Sequence, residues 1–167
     1  LYCDIAHLKT QQGQIKRALD DYAQALMLLS SIDDDETRGI VLSNAATAYV
    51  DQGDIETAEA FFIDSIKLAQ KTNDRAAEAT RRGNYGWFLL STGRAERAVA
   101  SLTYALRQSD NLGMNLQSAV QTDNIGLAYG ELERPEEALT FHQQALEKVR
   151  QIDDLHWQTV IMVNLAR

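Results

Sequence analysis

The fold is decided by residues 44–66, which read NAATAYVDQGDIETAEAFFIDSI. The same pattern returns over residues 84–106 as NYGWFLLSTGRAERAVASLTYAL, and over residues 124–146 as NIGLAYGELERPEEALTFHQQAL. Each copy begins with asparagine, and successive copies start 40 residues apart. A period of this length predicts stacked repeats in place of one central core.

Four columns of residues keep the 40-residue register. The first is an asparagine column that comprises Asn44, Asn84, Asn124 and Asn164, with Asp4 at the equivalent place near the start. Glycine follows nine residues later in most repeats, alanine five residues after that, and a small residue seven residues further on. Agreement of four independent columns in one register predicts a repeat protein.

Each repeat is predicted to contain two helices. Residues 55–69 place small or apolar side chains at i, i+3, i+7, i+10, i+11 and i+14, which is the spacing of one helical stripe. The preceding segment has its own stripe at Val41, Ala45, Ala48 and Tyr49. The predicted helices span residues 1–12, 15–31, 35–52, 55–72, 74–92, 95–111, 114–132, 135–151 and 154–167.

Local signals mark the helix ends. Gly53 and Gly93 lie where a first helix must end, because glycine tolerates the left-handed conformation of such a turn. The fourth repeat lacks this glycine and has Pro135 at the start of its second helix, where a missing N–H costs nothing. The acidic run at residues 33–36 offers N-caps to the helix that follows, and within it Asp33, with Glu36 three residues later, fits a capping box.

Composition argues against several classes of function. The 167 residues include 16 Lys and Arg against 24 Asp and Glu, a net charge of −8, so we expect no nucleic-acid partner and no membrane partner. No apolar stretch approaches the roughly 20 residues that span a bilayer, and we expect a soluble, cytoplasmic protein. The single Cys3 and the scattered His7, His142 and His156 fit neither a metal site nor a Cys/His catalytic pair. We therefore predict a non-enzymatic protein that uses no cofactor.

The column pattern resembles the tetratricopeptide repeat family, and the resemblance covers the whole chain. In the second repeat it is carried by Ala46, Tyr49, Gly53, Ala58, Phe62, Ser65 and Ile66. It implies an all-α fold, a right-handed α-solenoid or superhelix of antiparallel helix pairs, with about four repeats and a ninth helix. We expect one array over residues 1–167, a fragment of a longer protein, with repeats near 1–33, 34–73, 74–113 and 114–153 and a partial fifth at 154–167.

The repeat is longer than the family's usual length of about 34 residues. At 40 residues it is similar to the repeats of polarity adaptors that bind acidic or extended peptides. It is also similar to the helical sensor regions of bacterial regulatory ATPases and transcription activators.

In the family that the chain resembles, the asparagine column lies on the first helix of each pair and faces a concave groove. Asparagine costs about half a kcal/mol relative to alanine in a helix interior, so its recurrence needs a reason. Its amide either pairs with the backbone of a bound peptide or fixes the packing of neighbouring repeats. Three residues beyond this column lie His7, Thr47, Trp87, Leu127 and Arg167.

Trp87 and Arg81 are further candidates on the first helices. Trp87 is either an interface anchor in the groove or a core-filling residue. Arg81 and Arg82 either bind a carboxylate of the partner or belong to a solvated face that pairs with Glu78. The candidate binding residues are Asn44, Thr47, Arg81, Asn84, Trp87, Asn124, Leu127 and Asn164.

Three functions are compatible with these residues. The first is a protein- or peptide-binding scaffold that uses the concave groove. The second is a sensor or autoregulatory module of a larger bacterial signalling ATPase or transcription regulator, which binds a small effector or another domain of the same chain. The third is self-association through uncapped repeat ends, because an exposed repeat face can stack on another copy.

Overall fold

The computed structural model describes residues 6, 8–10 and 12–166, and every regular element within them is an α-helix. The helices are α1 (Ile15–Leu29), α2 (Asp35–Gln52), α3 (Ile55–Lys71), α4 (Arg75–Ser91), α5 (Ala95–Asn111), α6 (Asn115–Glu131), α7 (Pro135–Gln151) and α8 (Leu155–Leu165). All their ends lie within two residues of the predicted ends. Most of the predicted helix at 1–12, including Cys3, Asp4 and His7, lies outside the described residues, as does Arg167.

The chain forms two compact units, Leu1–Ala77 and Glu78–Arg167. In the first unit α2 packs on both α1 and α3, and Tyr22 of α1 meets Val41 of α2 in the core. In the second unit α6 packs on α5, α7 and α8, and Val149 of α7 meets Ile161 of α8. The single array over residues 1–167 stays a prediction.

Glycine sets the spacing within the helix pairs of the second unit. A Cβ atom on Gly86 of α4 would lie 2.5 Å from Cγ of Leu102 on α5. A Cβ atom on Gly126 of α6 would lie 2.8 Å from Cε1 of His142 on α7. Real Cβ atoms essentially never come this close to another heavy atom, so only glycine permits these approaches. Small residues therefore allow close helix packing at both places.

Aspartate side chains cap several helices. Four Oδ1 atoms accept hydrogen bonds of 2.9–3.1 Å from the backbone N–H three residues on, those of Asp34, Asp54, Asp74 and Asp154. The prediction that Asp33 caps α2 is wrong. Because α2 begins at Asp35, Asp34 occupies the N-cap position and Asp33 lies before it.

The turn inside each repeat uses a residue with left-handed backbone. Gly53 and Gly93 have φ angles of 88° and 73°, as predicted for the end of a first helix. In the fourth repeat the same place is taken by Glu133, whose φ angle is 57°. A side chain at a left-handed position costs free energy, so this repeat keeps the turn at a conformational cost.

Candidate functional site

One column of the repeat is apolar at two buried places and polar at two others. It comprises Val41 on α2, Arg81 on α4, Gln121 on α6 and Ile161 on α8, all of them buried. Arg81 and Gln121 are each 4% exposed, although the equivalent valine and isoleucine are core residues. Buried polar groups cost free energy unless they are paired, so this column departs from what packing alone favours.

A cavity of about 530 Å³ lies beside Gln121 in the second unit. Its wall is formed by α4, α6 and α8, which are the first helices of the third, fourth and partial fifth repeats. A cavity of this volume is in the usual range for ligand sites. Its apolar lining consists of Trp87, Leu116, Val120, Leu127, Trp157 and Val160. Its polar lining includes Asn84, Gln121, Asp123, Asn124 and Asn164.

The structure brings five of the eight predicted binding residues together on this wall, namely Asn84, Trp87, Asn124, Leu127 and Asn164. They meet because the 40-residue period places equivalent residues on successive first helices. Trp87 is 52% exposed, so it does not fill the core. Ligand binding by these five residues stays a prediction.

The other three predicted residues lie elsewhere. Asn44 and Thr47 belong to α2 in the first unit, where Asn44 is half-buried and Thr47 is exposed. The Thr47 hydroxyl donates a hydrogen bond to the Ser43 carbonyl at 3.4 Å. Arg81 is buried and is not among the residues that line the cavity. A part in binding for these three residues stays a prediction.

A buried network, which we call the Asp123 network, joins two residues of the cavity lining, Asp123 and Asn164, to His142. Asp123 Oδ1 is 2.6 Å from His142 Nδ1, and Asp123 Oδ2 accepts a hydrogen bond of 2.8 Å from Asn164 Nδ2. Asp123 and His142 are both buried. The network ties α6 to α7 and α8, so Asn164 makes the kind of packing contact that the second interpretation of the asparagine column expects.

The sequence predictions missed Gln121, Asp123 and Trp157. Gln121 Oε1 is buried and has no hydrogen-bond partner. A Cβ atom on Gly83 would lie 3.0 Å from Gln121 Nε2, so glycine at that position makes room for the amide. The available signal for Gln121 was the exchange of an apolar for a polar residue in a core column. Trp157 also departs from its column, because the equivalent residues of the other repeats are small or polar.

No lysine or arginine lines the cavity in the part of the chain that the structure describes. Arg82 pairs with Glu78 at 2.9 Å between Nε and Oε1, which confirms the predicted pairing, although Glu78 itself is buried. The Tyr104 hydroxyl donates a hydrogen bond to Glu78 Oε2 at 3.1 Å, and Arg82 Cζ lies 4.2 Å from the centre of the Tyr104 ring. Burial and the hydrogen bond to Glu78 raise the pKa of Tyr104. Arg82 is therefore held by neighbouring protein groups.

Residues 6, 8–10 and 12–166 contain neither a metal-binding cluster nor a helix suited to span a membrane. No group of three or more His, Cys, Asp or Glu side chains in these ranges could hold a metal ion. Over the same ranges, no helix is long and apolar enough to cross a bilayer. The cavity wall offers amide groups, two aromatic rings, apolar surface and one carboxyl group.

Helix pairs that repeat every 40 residues, with a cavity on their first helices, define an all-α helical-repeat protein. Models of the tetratricopeptide repeat match residues 1–71, 37–110 and 118–152. The chain belongs to the tetratricopeptide repeat family, as its column pattern predicted. Repeats of this family are typically non-catalytic scaffolds. No curated protein matches the chain.

Solved structures with the same fold include BtubC (BKLC) from P. vanneervenii, with a TM-score of 0.83 at 21% identity over 96% of this chain and 67% of that one. A Rap protein complexed with competence and sporulation factor has a TM-score of 0.83 at 16% identity, over 98% of this chain and 46% of that one. A STAND protein, a signal transduction ATPase with a tetratricopeptide repeat sensor from Pyrococcus horikoshii, has a TM-score of 0.86 at 18% identity.

These similarities confirm the predicted all-α repeat fold. The chain covers 99% of its own length in the alignment with the STAND protein but only 25% of that protein. It spans about half the length of the Rap protein. Identities of this size establish the shared fold alone.

Proposed function

We propose that this chain is a protein-interaction scaffold that binds an extended peptide segment of a partner in the cavity of the second unit. The observation that carries the proposal is the make-up of the wall. Asn84, Asn124 and Asn164 lie on three successive first helices, with Trp87 and Trp157 beside them. Membership of the tetratricopeptide repeat family supports a scaffold role, as does the Rap structure, which holds competence and sporulation factor.

The asparagines suit a peptide backbone. Each amide side chain has both a donor and an acceptor, and an extended peptide presents N–H and C=O groups along its length. A row of amides can therefore hold a backbone without depending on its sequence. Asn84 is exposed and Asn124 is half-buried, so both have surface to offer a peptide in the cavity.

Trp87 supplies apolar contact area. About half of its surface is exposed, and a fully buried aromatic side chain covers roughly 150–250 Å². A peptide that covers the exposed half removes about 100 Å² from water, which contributes about 2.5 kcal/mol to binding. Trp87 is therefore the expected anchor of the interface.

The test is a selection of displayed random dodecapeptides on the immobilised chain, followed by titration of the selected peptides in synthetic form. Tryptophan fluorescence reports on the cavity, because the chain has two tryptophans and both line its wall. Selected peptides are expected to change this fluorescence in a saturable way. Failure to enrich any peptide that does so contradicts the proposal.

Asn84→Ala combined with Asn124→Ala is expected to weaken binding about ten-fold or more, because two amide contacts to the peptide backbone are lost. Helical content and melting temperature are expected to stay nearly unchanged. Asn111→Ala, at the exposed end of α5 and away from the wall, is the matched control and keeps full affinity. A large fall in melting temperature, with affinity retained, supports the packing role of the asparagines and contradicts the proposal.

A sensor or autoregulatory module of a larger signalling protein is the second candidate. It is favoured by the likeness to the STAND protein, whose tetratricopeptide repeats are a sensor and of which this chain spans a quarter. In that case the cavity binds a small effector or another domain of the same protein. The sequence of the full reading frame tests this candidate. An adjoining nucleotide-binding or DNA-binding domain supports it, and a short stand-alone frame argues against it. Cytoplasmic location stays a prediction in either case.

Self-association is the third candidate, and exposed apolar side chains on α8 favour it. Leu155, Met162 and Val163 are about half or more exposed on this helix. Equilibrium sedimentation tests the candidate directly. A monomer at high concentration contradicts it.

A further inference from the structure

We propose that the peptide side chain that enters the cavity is basic, an arginine or a lysine. This inference rests on the proposed peptide binding and adds the chemistry of the bound residue. It is the opposite of the acidic ligand that Arg81 and Arg82 suggest in the sequence. Arg81 is buried away from the cavity lining, and Arg82 is paired with Glu78.

Charge on the wall is the first argument. In the described part of the chain, Asp123 is the one ionisable residue of the cavity lining; it is buried, and its carboxyl oxygens contact His142 Nδ1 and Asn164 Nδ2. A carboxylate that entered the cavity would meet no lysine or arginine there and would be brought towards Asp123. An ammonium or guanidinium group is instead attracted towards Asp123, because opposite charges attract more strongly away from bulk water.

The hydrogen-bonding groups of the wall are the second argument. Gln121 Oε1 is an acceptor without a partner, on a side chain that is 96% buried. The terminal torsion of glutamine is broad and two-fold, so this acceptor can turn towards a ligand at low cost. Asn164 donates one Nδ2 hydrogen to Asp123, and its Oδ1 is a further acceptor on the wall. These acceptors on the wall favour a ligand with several N–H donors.

The aromatic rings are the third argument. Trp87 and Trp157 lie on the outer two of the three wall helices, α4 and α8. Cations are attracted to indole faces, and arginine stacks on them through its planar guanidinium group. The apolar remainder of the wall, which includes Val120 and Leu127, suits the aliphatic stem of the same side chain. A purely apolar side chain would satisfy this part of the wall but would leave Gln121 Oε1 without a donor.

The experiment uses blocked pentapeptides, acetyl-Gly-Gly-Xaa-Gly-Gly-amide, in which Xaa is arginine, citrulline, leucine or glutamate. Citrulline has nearly the shape of arginine without its charge. Titration of the whole chain is followed by tryptophan fluorescence. The arginine peptide is expected to bind about five-fold more tightly than the citrulline peptide, and the glutamate peptide more weakly than either.

Two variants locate the effect. Gln121→Met is expected to reduce the preference for arginine over leucine to less than about two-fold while binding of the leucine peptide is kept. Gln143→Met, an exposed position on α7, is the matched control and keeps the preference. Trp157→Phe weakens the stacking face without removing an acceptor, so it provides a second measurement if Gln121→Met fails to fold.

The outcomes separate this inference from the proposed function. If the citrulline or leucine peptide binds as tightly as the arginine peptide, or more tightly, the inference of a basic side chain is wrong. The proposed binding of peptides in the cavity is not affected by that result. Absence of saturable binding by the arginine peptide up to about 20 mM also overturns the inference, since this limit corresponds to a negligible affinity. If the dodecapeptide selection also yields no cavity-binding sequence, the proposed function fails as well.

Discussion

Replacing Gln121 with methionine is expected to stabilise the second unit by about 1–2 kcal/mol. The glutamine side chain is buried, and its Oε1 atom has no hydrogen-bond partner. A buried polar group in this state costs about 1–3 kcal/mol, and methionine removes the cost while it keeps the unbranched shape. Glutamine and methionine have nearly equal helix propensities, so the backbone contributes little to the difference. Val41 and Ile161 show that the column accepts apolar side chains.

Urea unfolding followed by tryptophan fluorescence measures this effect in the relevant unit, because Trp87 and Trp157 both belong to it. With a slope of about 2 kcal/mol per M, a gain of 1.5 kcal/mol raises the midpoint by roughly 0.7 M. The control is Gln143→Met on the exposed face of α7. Its free energy of unfolding is expected to stay within about 0.5 kcal/mol of the wild-type value.

A lower midpoint for Gln121→Met, at an unchanged slope, refutes the reasoning, because it means that the amide is satisfied in the folded protein. A higher midpoint with weaker binding of the arginine peptide means that the amide is unsatisfied in the folded protein and contributes to binding. The glutamine is then retained for binding although it lowers stability, which is a common property of functional sites.

Two further predictions concern packing in the second unit. Gly86→Ala is expected to cost about 1–3 kcal/mol through overpacking, whereas Gly130→Ala, where a Cβ atom meets nothing within 4 Å, is expected to gain up to about 1 kcal/mol. His142→Phe alone is expected to cost about 3 kcal/mol, because it leaves the buried Asp123 carboxyl group short of a partner. Adding Asp123→Ser recreates the Ser and Phe pair of the second repeat and is expected to recover at least half of that loss.

Thermal and urea unfolding of these variants, followed by circular dichroism, provide the measurements. Equal stability of the two glycine variants would show that α4 and α5 separate easily to admit a methyl group. Absence of recovery in the double variant would show that Asp123 does not depend on His142 for its stability in the interior.

The helix boundaries could be predicted closely because the same local sequence signals recur in several repeats. A stripe such as that of residues 55–69, with a glycine before it and a cap residue at its start, depends on neighbours in the sequence alone. The error at Asp33 has a different origin. Two or three consecutive acidic residues offer equivalent caps, and the choice among them depends on where tertiary packing begins the helix.

The candidate site was predictable only in part. Residues of the asparagine column share a face by periodicity, so Asn84 and Asn124 could be expected on one wall. Periodicity does not report burial of an individual side chain, and for this reason Arg81 was expected in the groove although it is buried. Gln121 and Trp157 depart from their own columns. Their places in the cavity depend on which three helices meet there.

The contacts of His142 and Asp123 determine which repeats can be duplicated or grafted without losing a packing contact. Its contact with Gly126 lies within one repeat, so a whole repeat moved by duplication or grafting carries both residues with it. The hydrogen bond from Asn164 to Asp123 instead crosses into the next repeat. Since the second, third and fourth repeats all carry asparagine at that place, each of them brings the required donor when it follows Asp123. Asp123 therefore favours, as its successor, a repeat that carries a hydrogen-bond donor at this place.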